Sequence, residues 1–340
     1  MKRLFTVFLF IVTCFTGLCQ EITGYVLDYD TKKAIQNASV FINGTSIGTL
    51  TDNFGKFHLT ISYRQKLPVA VSSIGYNSIM LQDYDTSNLI IIYLVPKTYE
   101  LDEVYVYSKA TPEERRNRNT YLERFRLEFL GLTTNAQRCK ILNEKDLIVR
   151  FDPKTSMLKV TSQNPVLIDN KALGYTITYY LVKFECSVSS ISVLYIGNIF
   201  FEEDQELKGL KLKNIEKRRR LAYRGSRMHF FRSLWENQLD SNGYKINGGL
   251  LTYDSLVVET NPGVKYLKNK GTVSVSYYSK NPNHSQFILK SDSVYFDKWG
   301  YFNPEEINWL WPRIWAPENT LKMRMGDQLP FDYRFEPGKR

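Results

Sequence analysis

The chain is poor in the residues that usually carry metal and nucleophile chemistry. It has 340 residues but only four cysteines, three histidines and six methionines. No Cys/His cluster has metal-ligand spacing, and there is no G-x-S-x-G nucleophile turn, phosphate-binding glycine loop or dinucleotide fingerprint. Carboxylates are abundant, but no spacing marks two of them as an acid/base pair. Long apolar runs are also missing, with one exception at the start. Met1-Lys2-Arg3 is followed by the apolar run Leu4–Phe15 and then Gly17-Leu18-Cys19. This order reads as a secretory signal peptide over 1–20, cleaved near Cys19 or Gln20. The run is short for a membrane span, which leaves an uncleaved anchor as the alternative. A lipid-attached cysteine is a further alternative. Against it, Thr13 precedes Cys14 and Leu18 precedes Cys19, where attachment needs a small residue.

Removal of the signal leaves Cys139 and Cys186. In an oxidising compartment they could pair, or each could stand as a separate buried thiol. What the chain does have is aromatic residues, 23 Tyr and 20 Phe, which suit half-buried sheet surfaces. The apolar share of 43% is that of a globular protein. The net charge of +10 is uneven. Residues 21–110 hold 7 basic and 9 acidic side chains, whereas 111–340 hold 36 and 26. That shift places a domain boundary near 110 and suggests an anionic partner for the second part.

Residues 21–97 show period-two patterning with short polar turns: "ITGYVL", "ASVFI", "KFHLTI", "PVAVSSI", "NSIML" and "LIIIYLV". No helical periodicity intervenes, so the pattern predicts a small antiparallel β-sandwich. The stretch "GTLTDNFGKFHL" reads as a turn in which Asp52 and Asn53 bond the backbone and Gly55 takes a positive φ. A calcium site on Asp28, Asp30 and Asp52 is the sharper alternative, but the spacing matches no calcium loop.

These residues also carry a resemblance. Gly24, Val26, Asp28, Thr31, Ile35, Ala38, Val40, Gly48, Thr49, Thr51, Asp52, Gly55 and Phe57, followed by Ser72–Tyr76, resemble the carboxypeptidase regulatory-like domain. The resemblance implies a transthyretin-like sandwich common in envelope proteins of the Bacteroidetes type. There the sandwich often precedes another module, including TonB-dependent transporters. Glu100–Lys109, in the linker or terminal strand 98–110, is similar to the segment that follows the sandwich in those transporters. Neither larger protein fits here. A metallocarboxypeptidase needs an H-x-x-E pair, and none of His58, His229 and His284 has Glu three residues later. After Thr111 too few residues remain for a plug and a transporter barrel.

Residues 111–340 are expected to form one basic α+β domain, with helices packed on an antiparallel sheet. A helix is predicted from Thr111 to Gly131, with Tyr121, Phe125 and Phe129 on its apolar face. It packs on the following domain or lies on a membrane surface. A second short helix is predicted over 135–142. "EKRRRLAYRGSRMHFFRSLWENQL" reads as two helical segments interrupted at Gly225, with Ser226 as the N-cap of the second. Its basic run makes Arg218, Arg219, Arg220 and Arg224 the candidate surface for an anionic partner: an envelope protein, a glycan or an anionic lipid surface. A merely solvated face is the plainer reading. Tyr223 and Phe230 could stack on nucleic-acid bases, but export argues against such a partner.

Ser226 and His229 have a helical spacing that could form a nucleophile pair, although an N-cap explains the serine more simply. Trp309, Trp311 and Trp315 could stack on sugars or pack in a core. No catalytic, metal or cofactor residue is assigned. The sequence reads as an exported periplasmic or outer-membrane envelope protein that acts as a non-catalytic binding or structural module. The alternative is an envelope hydrolase of glycan or peptide with its site within 111–340.

Overall fold

The structure is a computed structural model. It describes residues 20–61, 67–82, 84–85, 87–97, 112–189, 193–278, 283–310 and 324–336. The signal segment before Gln20, the stretch Glu100–Lys109, Trp311 and Trp315 lie outside the described residues.

The N-terminal region is a two-sheet sandwich. One sheet is formed by β1 (Gln20–Asp28), β4 (Lys56–Ile61) and β7 (Ile90–Leu94), in the order β4-β1-β7. The other is formed by β2 (Ser39–Ile42), β3 (Gly48–Leu50), β5 (Val69–Ser72) and β6 (Ile79–Leu81), in the order β3-β2-β5-β6. Alternation puts Ile22 and Val26 of β1 inward, where they meet Phe57 and Leu59 of β4 and Val40 and Val71 of the facing sheet. The sandwich is antiparallel as expected, with one exception: β1 and β7 run parallel. The chain crosses to the other sheet and back before it forms β7, and that crossover sets the direction of the last strand.

The turn residues work as fasteners. Asp28 Oδ1 accepts from the Asp30 and Thr31 amides and from the Thr31 hydroxyl, and Tyr76 donates its hydroxyl to Oδ2 at 2.8 Å. These bonds, those from Thr31 foremost, hold the Asp28 carboxyl below its usual pKa. Asp52 Oδ1 accepts from the amides of Phe54 and Lys56, both at 2.8 Å. Gly55 has φ +71°, and a Cβ there would lie 2.5 Å from the Val26 carbonyl oxygen. Asp28 and Asp52 are thus each committed to closing a turn, and no group of metal-holding side chains occurs among the described residues.

In residues 112–336, α1 (Pro112–Leu130) packs on a six-stranded antiparallel sheet. Its strands are β8 (Cys139–Ile141), β9 (Leu147–Asp152), β10 (Met157–Ser162), β11 (Val166–Asn170), β12 (Tyr175–Ser187) and β13 (Val193–Glu203). β12 pairs with β13 along one edge, and on the other its two halves pair with β11 and β10. Phe125 and Phe129 of α1 are buried against Tyr179 and Phe184 of β12. Of the helix's basic residues, Arg126 pairs with Glu144 and Arg124 with Glu128. The helix is therefore docked on its own sheet, the first of the two expected placements. The helix expected over 135–142 is instead a 3-10 turn (Ala136–Arg138) followed by β8. Pairing with β11 buries Ile141, and that tertiary gain overrides local helical preference.

A second core follows. α2 (Gly209–Tyr223) and α3 (Arg227–Trp235) lead into β14 (Tyr244–Ile246), α4 (Tyr253–Leu256), β15 (Val257–Asn261), β16 (Val264–Lys268), β17 (Val273–Tyr277), β18 (Asn283–Leu289), β19 (Ser293–Phe296) and β20 (Ile307–Leu310). These strands form two antiparallel sheets, β14-β17-β18-β20 and β15-β16-β19. Phe230, Phe231 and Leu234 of α3 fill the space between them with Val273, Phe287 and Phe296. The expected α+β character holds, but the apolar side chains divide between two cores. Cys139 and Cys186 are separate free thiols, the latter buried.

Residues 324–336 form a strap that returns to the first of these cores. Met325, Leu329 and Tyr333 enter it, and Arg324 pairs with Glu128 at 3.0 Å. Asp327 accepts from Thr133 and Asn135, and Asn170 donates to the Gly326 carbonyl. Arg232 of α3 bonds the carbonyls of both Trp299 and Phe331, so the strap also reaches the second core.

Candidate functional site: a charged cleft at the domain junction

The loop between β2 and β3 reaches out of the sandwich and completes a neighbouring sheet. Gly44 donates its amide to the Ile199 carbonyl at 2.8 Å, Phe201 donates to the Thr45 carbonyl at 3.0 Å, and Ile199 donates to Asn43 Oδ1 at 2.8 Å. Thr45 thereby forms a parallel bridge to Phe200 on the open edge of β13. Phe41 stacks on Tyr180 with ring centres 5.3 Å apart. The strap closes the same joint: Phe331 donates to the Gly44 carbonyl, and Asp332 accepts from the amide and hydroxyl of Ser46. Gly44 is required here, because it has φ +79° and a Cβ would press within 2.7 Å of the Phe331 ring.

A cleft of about 850 Å³ opens beside this joint. Its walls are Ser46 of the sandwich loop, Tyr175 and Glu203 of the sheet, one face of α2, and the strap from Pro330 to Glu336. Junctions of this kind are common places for ligand sites. At its floor lies Arg219, only 3% exposed. The guanidinium pairs with Glu203 and Glu216, bonds the carbonyls of Leu173 and Gly174, and stacks over Tyr175 at 4.1 Å. Burial pushes the Tyr175 hydroxyl well above its usual pKa, so it stays a neutral donor.

The four arginines singled out in the sequence do not form one surface. Arg219 is turned inward and fully engaged. Arg218 donates to the Ala172 carbonyl, and Arg224 lies over the Phe335 ring, outside the cleft. Only Arg219 and Arg220 reach the cleft, which is also lined by Lys213 and Lys217. Lys217 belongs to the basic run but was left out of the candidate set, and Lys213 was missed because that run drew attention by density, whereas helical spacing selects Lys213, Lys217 and Arg220.

Ser226 and His229 are adjacent but do not make a nucleophile pair. Ser226 Oγ accepts the backbone amide of His229 at 3.1 Å, as an N-cap does. The His229 ring instead takes the Gly225 amide and the Tyr244 hydroxyl on Nδ1. Burial, with help from Arg224 and Arg232, lowers its pKa to about 4, so the ring is neutral. His58 and His284 sit elsewhere, beside Thr23 and Ser276. Trp309 packs against Phe287 at the second core rather than offering an open face.

Residues 22–106 match the CarboxypepD_reg-like domain family, which agrees with the resemblance read from the turn motifs and with the sandwich built around them. No curated protein matches the chain. Among solved structures, a protein of Bacteroides uniformis provisionally described as carbohydrate-binding is similar at 8% identity and a TM-score of 0.19. The alignment covers 82% of this chain and 98% of the other. A likeness that slight carries no argument about fold or ligand. Among the described residues no helix is long and apolar enough to cross a membrane.

Proposed function

We infer that the protein is an exported component of the cell envelope that binds its ligand without transforming it, and that the junction cleft is the binding place. One observation carries this reading. The sandwich loop supplies a wall of the cleft through Ser46, bonded to Asp332 of the strap, so the accessory module and the second domain build the site together. The groups best suited to chemistry are already committed. Ser226 caps a helix, His229 is held neutral by burial with its Nδ1 occupied by two donors, and Asp28 and Asp52 close turns. Periplasmic or outer-membrane location rests on the apolar start of the chain and on the sandwich family. The partner is an envelope protein, a glycan or an anionic lipid surface.

Cell fractionation combined with N-terminal sequencing tests this. The expected result is a chain starting near Gln20 in the envelope fraction that retains an envelope component and releases it unchanged. An intact chain in the cytoplasm, or a retained component that is cleaved, would defeat the reading.

A further inference from the structure

We propose that the junction cleft recognises an acidic oligosaccharide, one carrying carboxylate or phosphate groups spaced over about 10 Å; this rests on the cleft being the binding place. The Glu203 and Glu216 carboxylates are both drawn to the buried Arg219. The Asp332 carboxylate is held by Ser46 through both oxygens. The two glutamates more than offset Arg219, and Asp332 keeps its charge because Ser46 is uncharged, so the floor and the joint are acidic. By contrast, Lys213, Lys217 and Arg220 face the same space, and none has a side-chain ion pair or hydrogen bond among the described residues. Arg334 and Glu336 complete the rim.

The three unpaired cations stand at i, i+4 and i+7 on α2, one stripe along about 10 Å of helix. Like charges at that spacing repel one another and weaken the helix. With five basic and four acidic side chains in the lining, the positive potential is confined to the α2 wall, and a ligand that sets several negative groups along that wall and hydroxyls toward the acidic floor relieves the repulsion. The remaining lining explains why a bare polyanion is not the best occupant. Glu203 and Glu216 can accept hydroxyls on the oxygens that do not hold Arg219, and Asn214 both donates and accepts. Anionic groups flanked by hydroxyls are the chemistry of an acidic glycan. The volume, about 850 Å³, lies within the range of ligand sites.

The test is calorimetric titration of the mature chain with trigalacturonate, with its fully methyl-esterified neutral form, with a phosphorylated trisaccharide and with tripolyphosphate. The acidic trisaccharides are expected to bind at least about tenfold tighter than the ester. The double variant Lys213→Glu/Lys217→Glu should erase that preference. The control Lys268→Glu/Lys270→Glu, equal in charge change but on exposed residues outside the cleft, should retain it. Unchanged melting temperatures establish that the variants are folded. Comparison of the carboxylated and phosphorylated sugars tells which anion is preferred, and preference for either supports the assignment. Equal affinity for the neutral ester overturns the anionic class while leaving the binding reading intact. Tripolyphosphate binding as tight as the acidic sugars overturns the glycan class. Absence of binding by every probe, or a preference that survives the charge reversal, overturns the assignment altogether; whether the protein binds any envelope component is decided separately by the fractionation experiment.

Discussion

The sandwich and residues 112–336 hold themselves together in different ways. In the sandwich, the fasteners act mostly over short stretches of chain: Asp28 with Thr31, Asp52 with Lys56, Thr51 with Ala38. In the second part the decisive bonds join residues that are remote in sequence, such as Arg324 with Glu128, Asp327 with Asn135 and Asn170 with Gly326. Local fasteners can form before the rest of the domain, whereas the strap can be placed only once both cores exist. The second part therefore depends on its core packing more heavily than on any turn, and the joint between the two regions inherits that dependence through Asp332 and Phe331.

That difference can be broken from either side. Phe129→Ala removes a fully buried ring that touches Phe125, Tyr179 and Phe184. It should cost about 3–5 kcal/mol in urea unfolding of the second part. Hydrogen exchange of β1 and β4 should be little changed, and equal loss of protection in the sandwich would show that the two regions unfold as one.

Gly55→Ala acts on the sandwich alone. It forces a side chain into φ +71° against the Val26 carbonyl and should cost roughly 2 kcal/mol. Its exchange signature is confined to β1, β3 and β4; spread into α1 would contradict the division.

A subtler probe lies near the joint, in two buried groups of opposite sign. Burial raises the Asp297 carboxyl to about 6, because its charge is poorly solvated despite the amides of Trp299 and Tyr301 on Oδ1. The unfolded chain releases that proton near 4, so this group contributes stability at low pH that is lost as pH rises through about 6. His229 does the reverse. Its pKa falls to about 4 from an ordinary 6.5, so its contribution is present above about 6.5 and is lost as pH falls toward 4. The two slopes oppose each other between pH 4 and 6, and the wild type should be nearly flat there. Asp297→Asn should unmask a rise in stability with pH on the order of 2 kcal/mol across that window, read as melting temperature against pH. A flat profile in the variant would remove the Asp297 half of the account.

The smallest expected effect separates capping from chemistry. Ser226→Ala should lower stability by about 1 kcal/mol, the loss of one N-cap. Ser226→Asp keeps the cap acceptor and should restore it. A variant that loses ligand turnover with unchanged stability would point back to the nucleophile reading.

The sandwich was legible because its signals are local and redundant. Period-two patterning marks each strand, and Asp, Thr and Gly mark the turns with the geometry they then adopt. The direction of β7 was not legible, because a strand pattern does not record its partner. The candidate site was partly visible. The basic run pointed to α2, but residue density favoured Arg219, which burial diverts to Glu203 and Glu216. Lys213 gave no signal until the helix face and the strap were set opposite each other.

By itself, the sequence determined the sandwich and its turns, the helix under α1, the cap at Ser226 and the basic balance of the second part. These depend on periodicities and on bonds spanning a few residues. Tertiary structure alone decided that residues 112–336 have two cores, that 139–141 is a strand, and that a sandwich loop and a C-terminal strap meet at a cleft. Each of those outcomes rests on contacts between segments distant in the chain, and no local preference encodes which distant surface will bury a given side chain.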